Sequence, residues 1–327
     1  MAGSNVYVAQ DTAPANATTV NLITTDLGFT GRYIQTIAFG TTDNPNVVLA
    51  GSGNGGNGQL FLSTTATHDS MKADSALPAY QGFNPTSLVF DQRSSQRFYV
   101  ADGANVWGTQ NQGASINSLT SSLPTNISRP TSVEFINNNG VNALLVGGLT
   151  TVASAQSQIA VADSDSNGNL LNWRLFGSGL PNVLVSQMSY NALADVLALS
   201  AVGRGVWTLY DVTSYFPQAT VLQFGLANND SQPDASYLTD GNSFGSPFVR
   251  PLYKYGAGTL TIAGSASYTG GTTIFGGTLM LGNGGPGGSI LGNVTFSSCV
   301  GTASPLCDPT INRALAFNRS DAHAFGG

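Results

Sequence analysis

The chain has 327 residues, a formal net charge of −6 and a pI near 4.6, with charged residues at only 9% and glycine at 40 positions. That length has room for two domains, each able to bury a core. Solubility rests on Ser, Thr, Asn and Gly, as in exported all-β proteins rather than cytosolic helical enzymes. The lack of a basic cluster excludes nucleic acid as a natural partner, and no apolar run reaches the roughly 20 residues of a spanning helix. No signal peptide is visible and Met1-Ala2-Gly3-Ser4 reads as an expression start, so a fragment trimmed at both ends is expected.

Residues 5–215 form a repeat. Four segments align, Ile34–Phe39, Pro85–Phe90, Pro130–Phe135 and Val185–Tyr190, and their closing aromatics recur after 51, 45 and 55 positions. A second strand follows each: Val47–Ala50, Phe98–Ala101, Ala143–Val146 and Val196–Leu199. A third follows a glycine turn, with Phe90 to Trp107 and Tyr190 to Trp207 both spanning 17 positions. A fourth leads three times into a Leu-Pro corner, at Leu77-Pro78, Leu123-Pro124 and Leu180-Pro181. Short strands in units of about 50 residues predict propeller blades. The expected domain has four or five blades, or is incomplete, with Val6–Ala9 and Thr19–Ile23 completing the last blade and hiding its edges.

Residues 216–248 read as a connector. Asp211–Phe216 predicts one helical turn, Thr220–Phe224 a first solenoid strand, and 228–248 a protruding polar loop. From 249 to 327 the pattern changes. Gly258-Thr259-Leu260 returns 19 positions later as Gly277-Thr278-Leu279, and each copy opens an alternation of apolar and polar residues. Thr272–Phe275 alternates between two glycine pairs. Tiny period-2 strands broken by glycine at this spacing predict a parallel β-solenoid whose Leu and Ile point inward.

The same stretch resembles the passenger-associated transport repeat of bacterial autotransporters. The match is carried by Lys254, Gly256, Gly258, Thr259, Leu260, Ile262, Tyr268, Gly270, Thr272, Gly277 and Leu279. Gly292–Thr295, Phe317–Asp321 and Phe325–Gly327 resemble the segments that follow the repeat. The resemblance implies a right-handed parallel β-helix, export through the periplasm and outer membrane, and an extracellular, cell-surface location. It also implies a C-terminal outer-membrane β-barrel on the same polypeptide. In such a protein Cys299 and Cys307, eight positions apart, are expected to form a local disulfide contributing about 2–3 kcal/mol. Their loop is small enough for a chain threaded through a narrow barrel. The last coil, Ala314–Gly327, is expected to present an uncapped edge.

Catalytic residues are scarce. Glu134 is the single glutamate, between Val133 and Phe135 on an inner strand, and His68 and His323 are the two histidines. A glycosidase needs two carboxylates about 5–10 Å apart, so Glu134 would need an aspartate partner. The ordinary reading of Glu134 is a solvated or satisfied channel carboxylate. Asp163, Asp165 and Asn167 match the first half of a calcium loop, with Arg174 where the bidentate acid belongs; an ordinary Asn-Gly hairpin turn competes. His68-Asp69 reads as a solvated loop pair. Trp107 and Trp207 share a repeat position and read as packing between blades, whereas Trp173 falls outside that register and is the better ligand contact. The leading expectation is a non-enzymatic display or adhesion domain on a β-helix stalk, with a host or neighbouring-cell surface glycan or protein as partner. The alternatives are a glycan hydrolase centred on Glu134 and a purely structural spacer. No cofactor is expected, with calcium as the alternative.

Overall fold

The computed structural model describes residues 6–10, 21–25, 33–54, 56–65, 76–125, 127–150, 157–177, 179–227, 238–297 and 310–321. The described chain is all-β and divides into two compact units. The first comprises Met1–Asn137, Ala143–Ser189 and Leu199–Trp207; the second comprises Asn138–Asn142, Tyr190–Ala198 and Thr208–Gly327.

Antiparallel meanders of propeller-blade type follow one another along the N-terminal part of the chain. The first is β3 (Tyr33–Phe39), β4 (Val48–Asn54) and β5 (Asn57–Ser63), and Phe61 of β5 makes an antiparallel bridge to Ala76. The second is β6 (Ser87–Phe90), β7 (Phe98–Ala101), β8 (Val106–Thr109) and β9 (Asn117–Ser118). The third is β10 (Ile127–Asn138), β11 (Val141–Thr150), β12 (Ile159–Ser164) and β13 (Leu170–Leu175). The fourth has three strands, β14 (Val185–Asn191), β15 (Val196–Ala201) and β16 (Gly205–Tyr210). The N-terminal strands β1 (Val6–Gln10) and β2 (Asn21–Thr25) depart from expectation. Among the described residues they pair with each other in a two-stranded sheet and not with the last blade.

Middle strands of the second and third blades are buried on both faces, which is why they read as continuous apolar runs, whereas β15 of the fourth alternates. All four residues of β7 are buried. Cores form where one blade packs on the next: Leu49 and Leu60 join Phe90 and Phe98, and Val89 and Tyr99 join Phe135 and Leu144. Polar side chains also stitch inner strands together. In the Pro-Thr-Ser segments, Thr86 Oγ1 donates to the Thr131 carbonyl (2.8 Å) and Thr131 Oγ1 to that of Val185 (2.5 Å). Ser87 Oγ accepts from the Val133 amide (3.1 Å), and Ser132 Oγ from the Met188 amide (2.8 Å). Trp107 has the expected packing role, with Nε1 donating to the buried Asp102 (2.8 Å) and its ring edge-on to Tyr80. Trp207, at the same repeat position, is 40% exposed, contrary to expectation.

The second unit holds two parallel ladders. One stacks β17 (Leu222–Phe224), β20 (Leu252–Lys254), β22 (Thr272–Ile274) and β24 (Val294–Phe296); the other stacks β21 (Thr259–Ile262), β23 (Gly277–Leu281) and β25 (Arg313–Phe317). The Gly-Thr-Leu copies lie in register, with Leu260 opposite Leu279 and Leu279 opposite Leu315. Leu222, Leu252, Leu260, Ile262, Ile274, Leu279 and Leu281 fill the dry interior, each contributing roughly 1.5–3 kcal/mol relative to an exposed side chain. Tyr255 stacks on Phe275 with ring centroids 4.9 Å apart. Val212–Tyr215 forms a single 3₁₀ turn, as the sequence predicted.

Of the expected polar loop at 228–248, residues 228–237 lie outside the described residues and the remainder is structural. Leu238 is fully buried in the solenoid core, while β18 (Gly241–Ser243) and β19 (Ser246–Phe248) form a hairpin. Arg250 returns from it into the interior, donating to the carbonyls of Thr239 (2.6 Å) and Phe216 (2.9 Å).

Candidate ligand-binding cleft

Within the first unit a cavity of about 370 Å³ opens between the outer part of the second blade and β13 of the third, its walls including Tyr99, Gln110, Asn117, Ser122 and Trp173. Its base is built by packing. Tyr99 is 3% exposed and lies parallel to Phe135, with centroids 6.0 Å apart. Gly108 makes room for that ring, because a Cβ there would lie 3.1 Å from the Tyr99 Cδ1. Trp173 is half-buried, with one side against the core cluster that contains Tyr99.

Charged side chains near the cleft are held by one another and by backbone. Asp91, with no exposed side-chain surface, is held by Arg93 (2.7 Å) and Arg97 (2.8 Å). The same arginines dock the 163–168 turn: Arg93 donates to the Asp165 carbonyl (2.8 Å) and Ser164 Oγ (2.6 Å), and Arg97 to the Asn167 carbonyl (3.2 Å). Burial pushes the Tyr99 hydroxyl well above its ordinary pKa, with Asp91 adding to the effect, so this phenol stays neutral. The hydroxyl makes no hydrogen bond with the described residues.

The residues of the half calcium loop do not fit a Ca²⁺ ion. Asp163 turns both oxygens to the Arg174 guanidinium (3.0 Å each). Asp165 accepts from the amides of Asn167 (2.9 Å) and Asn169 (2.8 Å) and from the Asn169 side chain (2.8 Å), and these bonds, the Asn169 side chain first, lower its pKa. The carbonyl at the seventh position, Asn169, which an ion of such a loop would use, accepts from the Asp165 amide (3.1 Å) instead. Asn-Gly here makes a hairpin turn, with Gly168 at φ +86°. Among the described residues no group of three or more His, Cys, Asp or Glu could hold a metal.

Glu134 is half-buried, accepts a hydrogen bond from the Phe135 amide (3.0 Å) and does not line this cleft. His68, Asp69, Cys299, Cys307 and His323 lie outside the described residues. Of the predicted contacts, then, Trp173 is the one the cleft contains. Tyr99, Asn117 and Ser122 escaped the sequence reading. The available signal was a tyrosine within a run whose neighbours are apolar, since a buried phenol needs a partner that an aliphatic setting does not supply.

Residues 252–281 match the passenger-associated-transport-repeat, a repeat associated with autotransporter passengers. A comparison with curated proteins gives no match. Similar solved structures include a GH74 enzyme of Niastella koreensis, at 14% identity and TM-score 0.39, covering 55% of this chain and 29% of that one. The Cps50 (Swd1) β-propeller domain of Myceliophteria thermophila is 10% identical at TM-score 0.37, covering 54% of this chain and 52% of that one. The WD40 domain of Toxoplasma gondii coronin is 15% identical at TM-score 0.34, covering 54% and 42%. The chain thus spans about half or less of each, and at such scores the likenesses say nothing of activity.

The matched repeat makes physical sense residue by residue. Lys254 occupies the inward position that Phe224 and Ile274 fill on adjacent rungs, and its Nζ donates to the carbonyls of Tyr255, Gly256 (3.2 Å) and Gly276 (3.3 Å). Tyr268 and Thr272, both buried, share a hydroxyl–hydroxyl bond of 2.6 Å. A Cβ on Gly270 would lie 2.5 Å from the Arg250 carbonyl carbon, closer than backbone permits.

Proposed function

We propose that this chain belongs to a bacterial autotransporter passenger and acts as a non-enzymatic adhesion domain displayed at the cell surface on a β-helix stalk. The observation that carries the reading is the parallel ladder over the matched repeat, in which Lys254, Gly270 and Gly277 each serve the seating of a neighbouring coil. In this reading a C-terminal outer-membrane β-barrel of the same polypeptide passes the unfolded chain outward. Coils then form outside the cell one after another, each templated by the edge of the last. That order favours outward movement without ATP. Cys299 and Cys307 close a loop small enough for the passage. The partner is a glycan or protein on a host or neighbouring cell.

The test places the chain between a signal peptide and an autotransporter barrel in a Gram-negative host and measures protease access at the surface. Wild type is expected to be exposed to protease, and the double variant Leu260→Asp, Leu279→Asp to stall. Retention of wild type in the periplasm, or equal display of the double variant, overturns the reading.

A further inference from the structure

We infer that the cleft holding Tyr99 and Trp173 binds an uncharged oligosaccharide. The inference deepens the adhesion reading, on which it rests for the source of the sugar. Three observations carry it.

The cavity, about 370 Å³, falls in the range of roughly 300–1,000 Å³ typical of ligand pockets. No residue lining it carries a charge, and the nearby guanidiniums are held by partners of their own: Arg93 and Arg97 by Asp91 and the 164–167 turn, Arg174 by Asp163. A sialic or uronic acid would therefore meet no free cation there, whereas a neutral sugar leaves nothing unpaired.

The walls combine one flat apolar surface with dispersed donors and acceptors. Trp173 is braced from behind by the core and contributes to the cavity wall. Sugar rings present C–H faces to such surfaces and hydroxyls around the rim. The Asn117 amide and the Ser122 hydroxyl have no hydrogen-bond partner among the described residues, and Gln110 uses only its Nε2, toward the Gly168 carbonyl (3.4 Å). Uncommitted amides and hydroxyls suit groups that donate and accept alike.

The Tyr99 hydroxyl is the independent pointer. It is itself buried and has no partner within the described chain, and it belongs to a residue, 3% exposed, that contributes to the cavity wall. Buried polar groups left unpaired are costly and rare, so each calls for a partner. A sugar hydroxyl in the cleft would supply one.

Isothermal titration with neutral hexasaccharides of glucose, xylose, mannose, galactose and N-acetylglucosamine, beside polygalacturonate and sialyllactose, tests the inference. Saturable binding of at least one neutral sugar is expected, weakened tenfold or more by Trp173→Ala and several-fold by Tyr99→Phe. Ser122→Trp, which plugs the exposed mouth without touching the core, is expected to abolish binding at an unchanged melting temperature; it decides the matter if Trp173→Ala fails to fold. Silence from every neutral sugar, equal binding of the charged ones, or binding that survives Ser122→Trp overturns it. Surface display of Ser122→Trp stays at the wild-type level when only the cleft fails, whereas loss of display in wild type sinks the export reading alone.

Discussion

The Lys254 ammonium reaches the Gly276 carbonyl on the following coil, 3.3 Å away, from a side chain only 2% exposed. A cation on the inner row of an otherwise apolar column is tolerated because three carbonyls turn toward it. Its position explains a lysine in the matched repeat.

Burial pushes the Lys254 ammonium down to about 8 from its ordinary 10.5, with the charge of Asp211 acting in the opposite sense. Between these values the unfolded chain binds more protons than the folded one, so this group makes stability rise with pH through that window; below it the burial cost is fully present. Lys254→Met is expected to abolish the slope and to orphan the carbonyls, costing about 1–3 kcal/mol at neutral pH. Urea midpoints of both proteins between pH 7 and 9.5 check it: the gap should widen as pH rises, and a constant gap would sink the argument.

Asp195 is fully buried and accepts hydrogen bonds from Tyr190 Oη (2.7 Å), Thr213 Oγ1 (2.7 Å) and Gln223 Nε2 (3.1 Å). Asp195→Ala leaves these donors unpaired and is expected to cost about 3 kcal/mol, against about 1 kcal/mol for Tyr190→Phe. Denaturant unfolding of the two variants measures the order, which should not reverse.

Ser132 is completely buried and its hydroxyl accepts from the Met188 amide. Ser132→Ala should cost about 1–3 kcal/mol by stranding that amide. Hydrogen exchange is the direct readout, since the Met188 amide should lose protection before the flanking strand does.

Gly277 and Gly203 both have positive φ, +67° and +72°. A Cβ on Gly277 would sit 2.3 Å from the Gly258 carbonyl oxygen, whereas one on Gly203 meets nothing within 4 Å. Gly203→Ala should therefore cost only the left-handed backbone penalty of about 1–2 kcal/mol, and Gly277→Ala clearly more. Equal losses on thermal melting would refute the coil-contact explanation.

What sequence could reveal followed from periodicity. Gly-Thr-Leu at a spacing of 19 foretold the pairing of Leu260 with Leu279, and the recurring aromatics marked the strands that bear Phe39, Phe90, Phe135 and Tyr190. Side-chain partners across long stretches of chain were not legible. Asp163-Ser164-Asp165 carries the spacing of an ion loop, and the pairing of Asp163 with Arg174, with Arg93 arriving from some 70 residues earlier to dock the turn, shows otherwise. Leu238 lies in a polar stretch and gave no period to read, yet it is core. The cleft draws on two blades, so no local pattern could have joined Tyr99 to Trp173.

The two parallel ladders have a mechanical corollary. Among the described residues the rungs follow one another strictly in chain order from Leu222 to Phe317, each strand pairing with the rungs next to it. Tension drawn from the C-terminal side loads β25 first, then β24, then β23, so the strand unspools turn by turn and its resistance is that of one turn, not of the whole spool.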